Sequence, residues 1–146
     1  ALDHCYYALE GAGASKKEGN GPVFSISAKH RVHKAVQIAV SRSHLGKATV
    51  DFLEKIGPYE LLGMGSSLKL CLVAEGVADL YPRLGRTLEW DTAAAQSIVT
   101  EAGGSVTDAQ GHPLKYNKAD LANPNFFVRG NPPVSMPTDI SLLEKR

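Results

Sequence analysis

The feature that most constrains the fold of this chain is an alternation of strand-like and helix-like segments through its middle. Alternating apolar residues are typical of strands, and apolar residues three or four apart are typical of helices. The strand pattern occurs at 36–40, 59–64 and 78–84, and the helix pattern occurs between and after them at 46–56, 68–78 and 90–102. Because strands that alternate with helices pack into layers, the sequence predicts an α/β domain with a mixed sheet flanked by helices.

The ends of two helices are marked by residues with defined capping roles. Ser66 or Ser67 is a suitable N-cap for the second helix, since a hydroxyl can accept from a free backbone N–H group. In that helix we expect apolar side chains to face the core and Lys69 to lie on another side. Gly103 and Gly104 follow the third helix, where glycine is common.

The segments on either side of this region carry weaker patterns. Toward the start we expect a strand at 5–9, a turn at 11–14 and a polar loop at 16–21. Later strands are expected at Val106 and at 126–128. Prolines at 132, 133 and 137 then indicate an extended segment. The chain is therefore divided into one domain over 1–130 and a Pro-containing tail over 131–146.

Composition excludes several classes of partner. The 16 basic and 15 acidic side chains give a net charge of +1, without the basic excess typical of nucleic-acid binders. No apolar run approaches the ~20 residues of a membrane span. Cys5 and Cys71 lack C-x-x-C spacing, and each is predicted to be a buried thiol, which agrees with a reducing cytoplasm. We therefore expect a cytoplasmic protein with no membrane and no nucleic-acid partner.

The start of the chain favours a piece of a longer protein. Ala1, Leu2 and Asp3 precede the first predicted strand without an initiator Met and without a signal-peptide pattern. Removal of an initiator Met is the alternative interpretation.

Two short stretches could bind an anion. The run from Gly65 to Lys69 places Ser66, Ser67, free N–H groups and an ammonium near one helix start. Arg83 is expected at the end of a strand, the edge where ligands bind in open α/β sheets, and its guanidinium can grip a phosphate. An N-cap with a solvated lysine, and a surface arginine, are the structural alternatives.

Asp91 is the candidate for a metal ligand. It lies in the first turn of the third helix and is followed by small residues that allow close packing. The structural alternative is that its charge only stabilises the helix dipole. One carboxylate does not make a magnesium site, because Mg²⁺ needs a full set of oxygen ligands. P-loop, zinc-protease and nucleophile-elbow motifs do not occur.

Together these stretches carry a resemblance to a known family. The run Trp90-Asp91-Thr92-Ala93-Ala94, continued by Glu101-Ala102-Gly103-Gly104, resembles the second signature of the inositol monophosphatase superfamily. Its branch of 3'(2'),5'-bisphosphate nucleotidases, the CysQ branch, has segments similar to 41–44, 65–76, 78–83 and 121–127. The resemblance covers residues 1–130 and implies the C-terminal domain of the inositol monophosphatase-like sugar phosphatase fold.

The resemblance also implies an activity. Members of this branch are phosphoric monoester hydrolases of sulfur metabolism that use Mg²⁺ to remove the 3'-phosphate of adenosine 3',5'-bisphosphate, giving AMP and phosphate. Related sulfated nucleotides are further substrates to consider. The first family signature, D-P-[IL]-D-G-T, and the acidic helix before it do not occur in this sequence. We therefore expect the N-terminal half of the same enzyme as a partner and inactivity of this chain alone.

The resemblance assigns roles to particular positions. Asp91 matches a metal ligand that also lies at the substrate, and Gly65, Ser66, Ser67 and Lys69 match a substrate-binding turn. The family pattern assigns a catalytic role to no residue of this chain.

Two further positions concern the nucleotide. Arg83 stands where the inositol-specific branch has a glutamate, an exchange that favours a second phosphate over sugar hydroxyls. His44 matches a nucleotide-contacting histidine, and a loop hydrogen bond is its alternative role.

Three other functions stay open from the sequence. The protein could be an inositol monophosphatase, a phosphonucleotide-binding module without hydrolysis, or an interaction subunit with an exposed apolar face. The sequence also leaves a homodimer open.

Overall fold

The computed structural model describes residues 3–29, 34–42 and 45–137. These residues form eight strands and three helices. The strands are β1 (His4–Leu9), β2 (Gly13–Glu18), β3 (Val23–Ile26), β4 (Val36–Ser41), β5 (Tyr59–Met64), β6 (Leu80–Arg83), β7 (Ser105–Asp108) and β8 (Phe126–Arg129). The helices are α1 (Lys47–Leu53), α2 (Leu68–Ala74) and α3 (Glu89–Glu101).

The strands form two sheets. Strands β1, β2 and β3 make an antiparallel sheet in chain order. The larger sheet has the order β5-β4-β6-β8-β7, in which β4 runs parallel to β5 and β6, and β8 runs antiparallel to β6 and β7. The prediction of an α/β fold with a mixed sheet is therefore confirmed.

Two apolar clusters arrange the layers. Helices α2 and α3 pack between the small sheet and one face of the large sheet, with Val73 and Val99 fully buried among them. Helix α1 covers the other face, where Phe52 and Leu53 pack against Ile38. Each such side chain contributes about 1.5–3 kcal/mol on burial, so the two clusters fix the sheet between its helices.

The polar loop predicted at 16–21 is wrong in its first half, because β2 extends to Glu18. Lys16 is buried on the core-facing side of β2, where its Nζ lies 2.8 Å from Glu75 and 2.7 Å from Glu18. Burial opposes its charge, but hydrogen bonds to Glu18, Glu75 and Tyr6 together raise the pKa of Lys16. The lysines of β2 give this strand the composition of a loop. Strand β3 was not predicted from the sequence either.

The prediction for the two cysteines is half right. Cys71 is buried in α2, where burial and then the charge of Glu75 raise the pKa of its thiol to about 11. Cys5 is exposed, because it shares the outer face of β1 with Tyr7 and Leu9. Both thiols are free.

The described part of the tail, 131–137, contains no helix or strand beyond a bridge between Lys29 and Asn131. Val134 and Met136 pack against the cluster beneath α1, so this part of the tail contacts the core. The division of the chain at residue 130 stays a prediction. Within the described residues, no helix is both long enough and apolar enough to cross a membrane.

Candidate functional site

An open cleft of about 390 Å³ lies at the edge of the large sheet where β4, β5 and β6 end. These three strands are parallel, so their carboxyl ends meet at one edge, the usual position of ligands in such sheets. Helix α2 begins after β5, and α3 begins after β6. The loops that enter both helices therefore form the walls of the cleft.

The structure brings together most of the residues singled out from the sequence. The cleft is lined by Ser66, Ser67, Lys69, Arg83 and Asp91. Gly65 lies just outside, in a neighbouring depression that Ser66 also lines. His44 is outside the described residues, so its role stays a prediction.

Lys69 does not lie on a solvated side of α2, as the sequence suggested, but is 4% exposed. Its Nζ donates to the carbonyl oxygens of Ser66 at 2.8 Å and Met64 at 3.3 Å, and it lies 5.3 Å from the ring centre of Tyr81. Burial, and then the charge of Arg83, lowers the pKa of Lys69. Lys69 is therefore a buried cation that two backbone carbonyls hold at the lining of the cleft.

The two serines do not act as the predicted N-cap. Ser67 occupies the N-cap position of α2, but its backbone is helical and its side chain makes no capping hydrogen bond. Ser66 has a φ of 52°, in the left-handed region that non-glycine residues rarely adopt. Both residues are exposed at the cleft, so their hydroxyls are available to a ligand.

Arg83 ends β6, and its guanidinium is partly committed to the protein. Its Nη2 donates to the carbonyl oxygen of Arg86 at 3.0 Å. Its Nε is buried and has no hydrogen-bond partner within the described residues. The proximity of Arg83 to Lys69 and Tyr81 gives one wall of the cleft a positive charge.

Asp91 is exposed at the start of α3, where its Oδ2 accepts from the backbone N–H of Leu88 at 2.8 Å. This contact is the stabilising role that the sequence offered as an alternative, and it leaves the other carboxylate oxygen to the cleft. Among the described residues, no group of three His, Cys, Asp or Glu side chains could hold a metal ion.

The start of α3 is held by buried polar contacts. Nδ2 of Asn123 donates to the Leu88 carbonyl at 2.9 Å and to the Thr92 hydroxyl at 3.1 Å. The Glu89 carboxylate accepts from the backbone N–H of Asn117 at 2.7 Å and from Lys118, and the hydrogen bond to Lys118 lowers the pKa of Glu89. These contacts fix the position of the neighbouring carboxylate of Asp91.

Several lining residues were not proposed as site residues from the sequence. They are Ser41, Leu70, Tyr81, Arg86, Thr87, Trp90, Thr92 and Phe126. Most lie in or beside the short connection from β6 to α3, and Trp90 is 65% exposed there. A connection between a strand end and a helix start was the available signal, because such connections form ligand sites in α/β folds.

The fold and the cleft define an α/β domain whose sheet edge gathers lysine, arginine, serine and aspartate side chains around one opening. The chain belongs to the inositol monophosphatase family, since that family's model matches residues 1–145. The match runs past residue 130, the last residue that the sequence resemblance covers.

Individual relatives agree with the CysQ resemblance. The chain is 40% identical over 124 residues to the 3'(2'),5'-bisphosphate nucleotidase CysQ of Salmonella typhimurium, covering 84% of this chain and 49% of that protein. It is 46% identical over 92 residues to the Escherichia coli protein of the same name, covering 62% of this chain and 37% of that protein.

The crystal structure of CysQ from Bacteroides thetaiotaomicron superposes with a TM-score of 0.80 at 37% identity, over 88% of this chain and 54% of that one. The predicted fold family is therefore confirmed. The chain spans about half or less of the length of these relatives.

Proposed function

We propose that this chain forms the substrate-binding part of a Mg²⁺-dependent phosphatase that removes the 3'-phosphate of adenosine 3',5'-bisphosphate, giving AMP and phosphate. The observation that carries the proposal is the convergence of Lys69, Arg83 and Asp91 on one cleft. Relatives that are 40% and 46% identical bear the name of this activity.

The charges of the cleft suit a ligand with more than one phosphate. Lys69 and Arg83 are fixed cations, and the nearby carboxylate of Asp91 is partly compensated by the Leu88 N–H. Arginine and lysine bind phosphate oxygens through charge-assisted hydrogen bonds, which are about twice as strong as neutral ones. A carboxylate in place of Arg83 would instead suit sugar hydroxyls.

The residues present fit one ligand of a magnesium ion. Mg²⁺ commonly binds one or two carboxylates together with substrate phosphate and water. Asp91 would hold it through the carboxylate oxygen that is not bonded to Leu88. When bound, the ion neutralises charge on the phosphoryl group and activates water.

The residues of this chain orient the substrate for that chemistry. Lys69 and Arg83 hold a phosphate at the floor and wall of the cleft, while the Ser66 and Ser67 hydroxyls donate to it from the entry turn of α2. The contacts between Thr92, Asn123 and the start of α3 keep Asp91 in place during turnover.

The remaining metal ligands are assigned to the N-terminal half of the same enzyme. Support comes from the relatives, of which this chain covers about half or less. The outer face of the small sheet, where Tyr7, Leu9 and Val23 are 46%, 69% and 51% exposed, is the proposed surface for that half. The chain alone is then expected to bind nucleotide without hydrolysing it.

The test is phosphate release from adenosine 3',5'-bisphosphate in the presence of Mg²⁺. The chain is assayed alone and mixed with a separately made N-terminal half of the enzyme. Activity in the mixture only is the expected result. Strong activity of the chain alone would refute the split site, and binding without turnover in the mixture would favour a non-catalytic nucleotide-binding module.

Arg83 decides between nucleotide and inositol substrates. In the active mixture, Arg83→Glu is expected to lower kcat/KM for the bisphosphate and to raise it for inositol monophosphate. The Arg83→Gln variant is the control, because it removes the positive charge without adding a carboxylate. An unchanged ratio of the two kcat/KM values would argue against the assigned substrate class.

A further inference from the structure

Arg86 lies at the junction of two clefts. One is the candidate site, and the other is a neighbouring cleft of about 460 Å³ that extends along residues 118–125. Arg86 lines both. Its side chain is exposed, and its guanidinium makes no hydrogen bond or ion pair within the described parts of the chain. It is therefore a free cation between the two openings.

The other cations of the two clefts are already partly engaged. Two of the three N–H donors of Lys69 are hydrogen-bonded to the Ser66 and Met64 carbonyls. Lys118, in the second cleft, is paired with Glu89 and donates to a backbone carbonyl. Arg86 consequently offers more free N–H donors to a ligand than either lysine does.

The backbone of Arg86 is held at the cleft wall by the site itself. Arg83 Nη2 donates to the Arg86 carbonyl at 3.0 Å. Between them Gly85 lies against the Arg83 guanidinium, and a Cβ added there would be 3.8 Å from its central carbon. The arginine that was predicted from the sequence to bind phosphate therefore also positions a second arginine beside it.

A phosphate dianion presents three oxygens, each able to accept more than one hydrogen bond. Because Arg83 and Lys69 have donors committed to carbonyls, they satisfy such a group only in part. We propose that Arg86 is an additional phosphate-binding residue, which grips the phosphate that is not hydrolysed and so selects bisphosphates over monophosphates. The proposal rests on the function proposed above and adds a specificity-determining residue to it.

The experiment compares the binding of two ligands to the full chain by calorimetry. The ligands are adenosine 3',5'-bisphosphate and adenosine 3'-monophosphate, which lacks the phosphate assigned to Arg86. Arg86→Gln is expected to weaken bisphosphate binding about five- to tenfold, the size of a partly solvated charge-assisted contact. Binding of the monophosphate is expected to stay within about twofold of the wild type.

A matched control separates a direct contact from the loss of one charge. Lys115 is exposed and lines neither cleft, so Lys115→Gln removes the same charge and is expected to leave both affinities unchanged. An equal loss for both ligands in Arg86→Gln, or no loss for either, would overturn the assignment. Absence of bisphosphate binding by the wild-type chain would overturn it as well.

The outcome is independent of turnover. If the mixture with the N-terminal half releases no phosphate while Arg86→Gln still discriminates between the ligands, the phosphatase proposal fails and the Arg86 subsite stands. If phosphate is released and Arg86→Gln binds both ligands like the wild type, the phosphatase proposal stands and the Arg86 subsite fails.

Discussion

The Nζ atom of Lys69 lies 2.8 Å from the carbonyl oxygen of Ser66, a residue whose φ of 52° is unfavourable for a side chain with a Cβ. The hydrogen bond joins a buried cation to a strained turn, three residues apart in the chain. Such backbone strain costs on the order of 1–3 kcal/mol and persists only where the surroundings hold it. The strained backbone of the turn at Ser66 and the ammonium of Lys69 therefore hold each other in place.

Lys69→Met is expected to weaken binding of adenosine 3',5'-bisphosphate at least about tenfold, because it removes a charge-assisted contact. It also leaves the Ser66 and Met64 carbonyls without this donor, so the free energy of unfolding should fall by about 1–3 kcal/mol. Calorimetry and urea unfolding measure the two effects. Lys115→Met serves as the control, since the same substitution there affects an exposed side chain. Unchanged affinity would remove Lys69 from the site.

The lowered pKa of Lys69 predicts a pH dependence of binding. The ammonium is the form that binds phosphate, and burial makes it lose its proton at a lower pH than an exposed lysine does. Bisphosphate affinity should therefore decline on the alkaline side before the ordinary lysine value of 10.5 is reached. In Lys69→Met this decline should be absent, and persistence of the same decline in the variant would assign it to another group.

Asp91→Asn tests the metal ligand. The amide oxygen of asparagine can still accept from the Leu88 N–H, so the free energy of unfolding should change by less than about 1 kcal/mol. Loss of the negative charge should weaken Mg²⁺ binding and lower kcat in the mixture with the N-terminal half by about 100-fold or more. The measurements are thermal unfolding and a Mg²⁺ titration of activity. A stable variant with normal activity would rule out the assigned role.

The buried contact between Lys16 and Glu75 predicts how stability depends on pH. Because the folded-state pKa of Lys16 is raised, its stabilisation is complete below the ordinary value of 10.5 and is lost as the pH rises toward the folded-state value. Among the described residues, Lys16→Met leaves the Glu75 carboxylate with Tyr6 as its remaining side-chain hydrogen-bond partner, and it should lower the free energy of unfolding by about 3–5 kcal/mol near neutral pH. The difference in the free energy of unfolding between the variant and the wild type, measured by urea unfolding, should be smaller at about pH 11 than near neutral pH. A constant difference would contradict the charge-based explanation.

Gly104 is required by close packing. A Cβ at this position would lie 2.8 Å from the Arg129 carbonyl oxygen and 3.0 Å from side-chain atoms of Ala28 and Val99. Gly104→Ala should therefore destabilise the chain by about 1–3 kcal/mol. Gly46→Ala is the matched control, because among the described residues no atom beyond its chain neighbours lies within 4 Å of its added Cβ. Equal thermal stability of the two variants would contradict this prediction. It would mean that α3 and the large sheet can move apart to admit the methyl group without a loss of stability.

The sequence predicted those parts of the fold that depend on local patterns. Glycines flank both strand β5 and helix α3, and the predicted bounds of the two elements agree with the structure within one residue. Ser66, Ser67, Lys69, Arg83 and Asp91, which the resemblance singled out, lie in one cleft, and their roles there stay predictions.

The misplaced residues are those whose environment comes from distant parts of the chain. Lys16 and Lys69 both had the pattern of solvated lysines, yet each is buried. The buried partner of Lys16 outside its own strand is Glu75, 59 residues away. The ammonium of Lys69 is held by carbonyls of a turn with an unusual φ. Neither partnership can be derived from hydrophobic periodicity. The second role of Arg83, as a support for the loop at Arg86, depends in the same way on tertiary geometry.

Because Cys5 is exposed and Cys71 is buried, the reaction rates of the two thiols can report local opening of the fold. Cys5 lies on an outer strand face and should react with a thiol reagent at the rate of an accessible cysteine. Cys71 lies in the helix that carries Lys69, and its burial and raised pKa leave it unreactive until that helix separates from the sheets. The ratio of the two labelling rates, measured with and without nucleotide, would show how far a bound phosphate restrains the opening of the site.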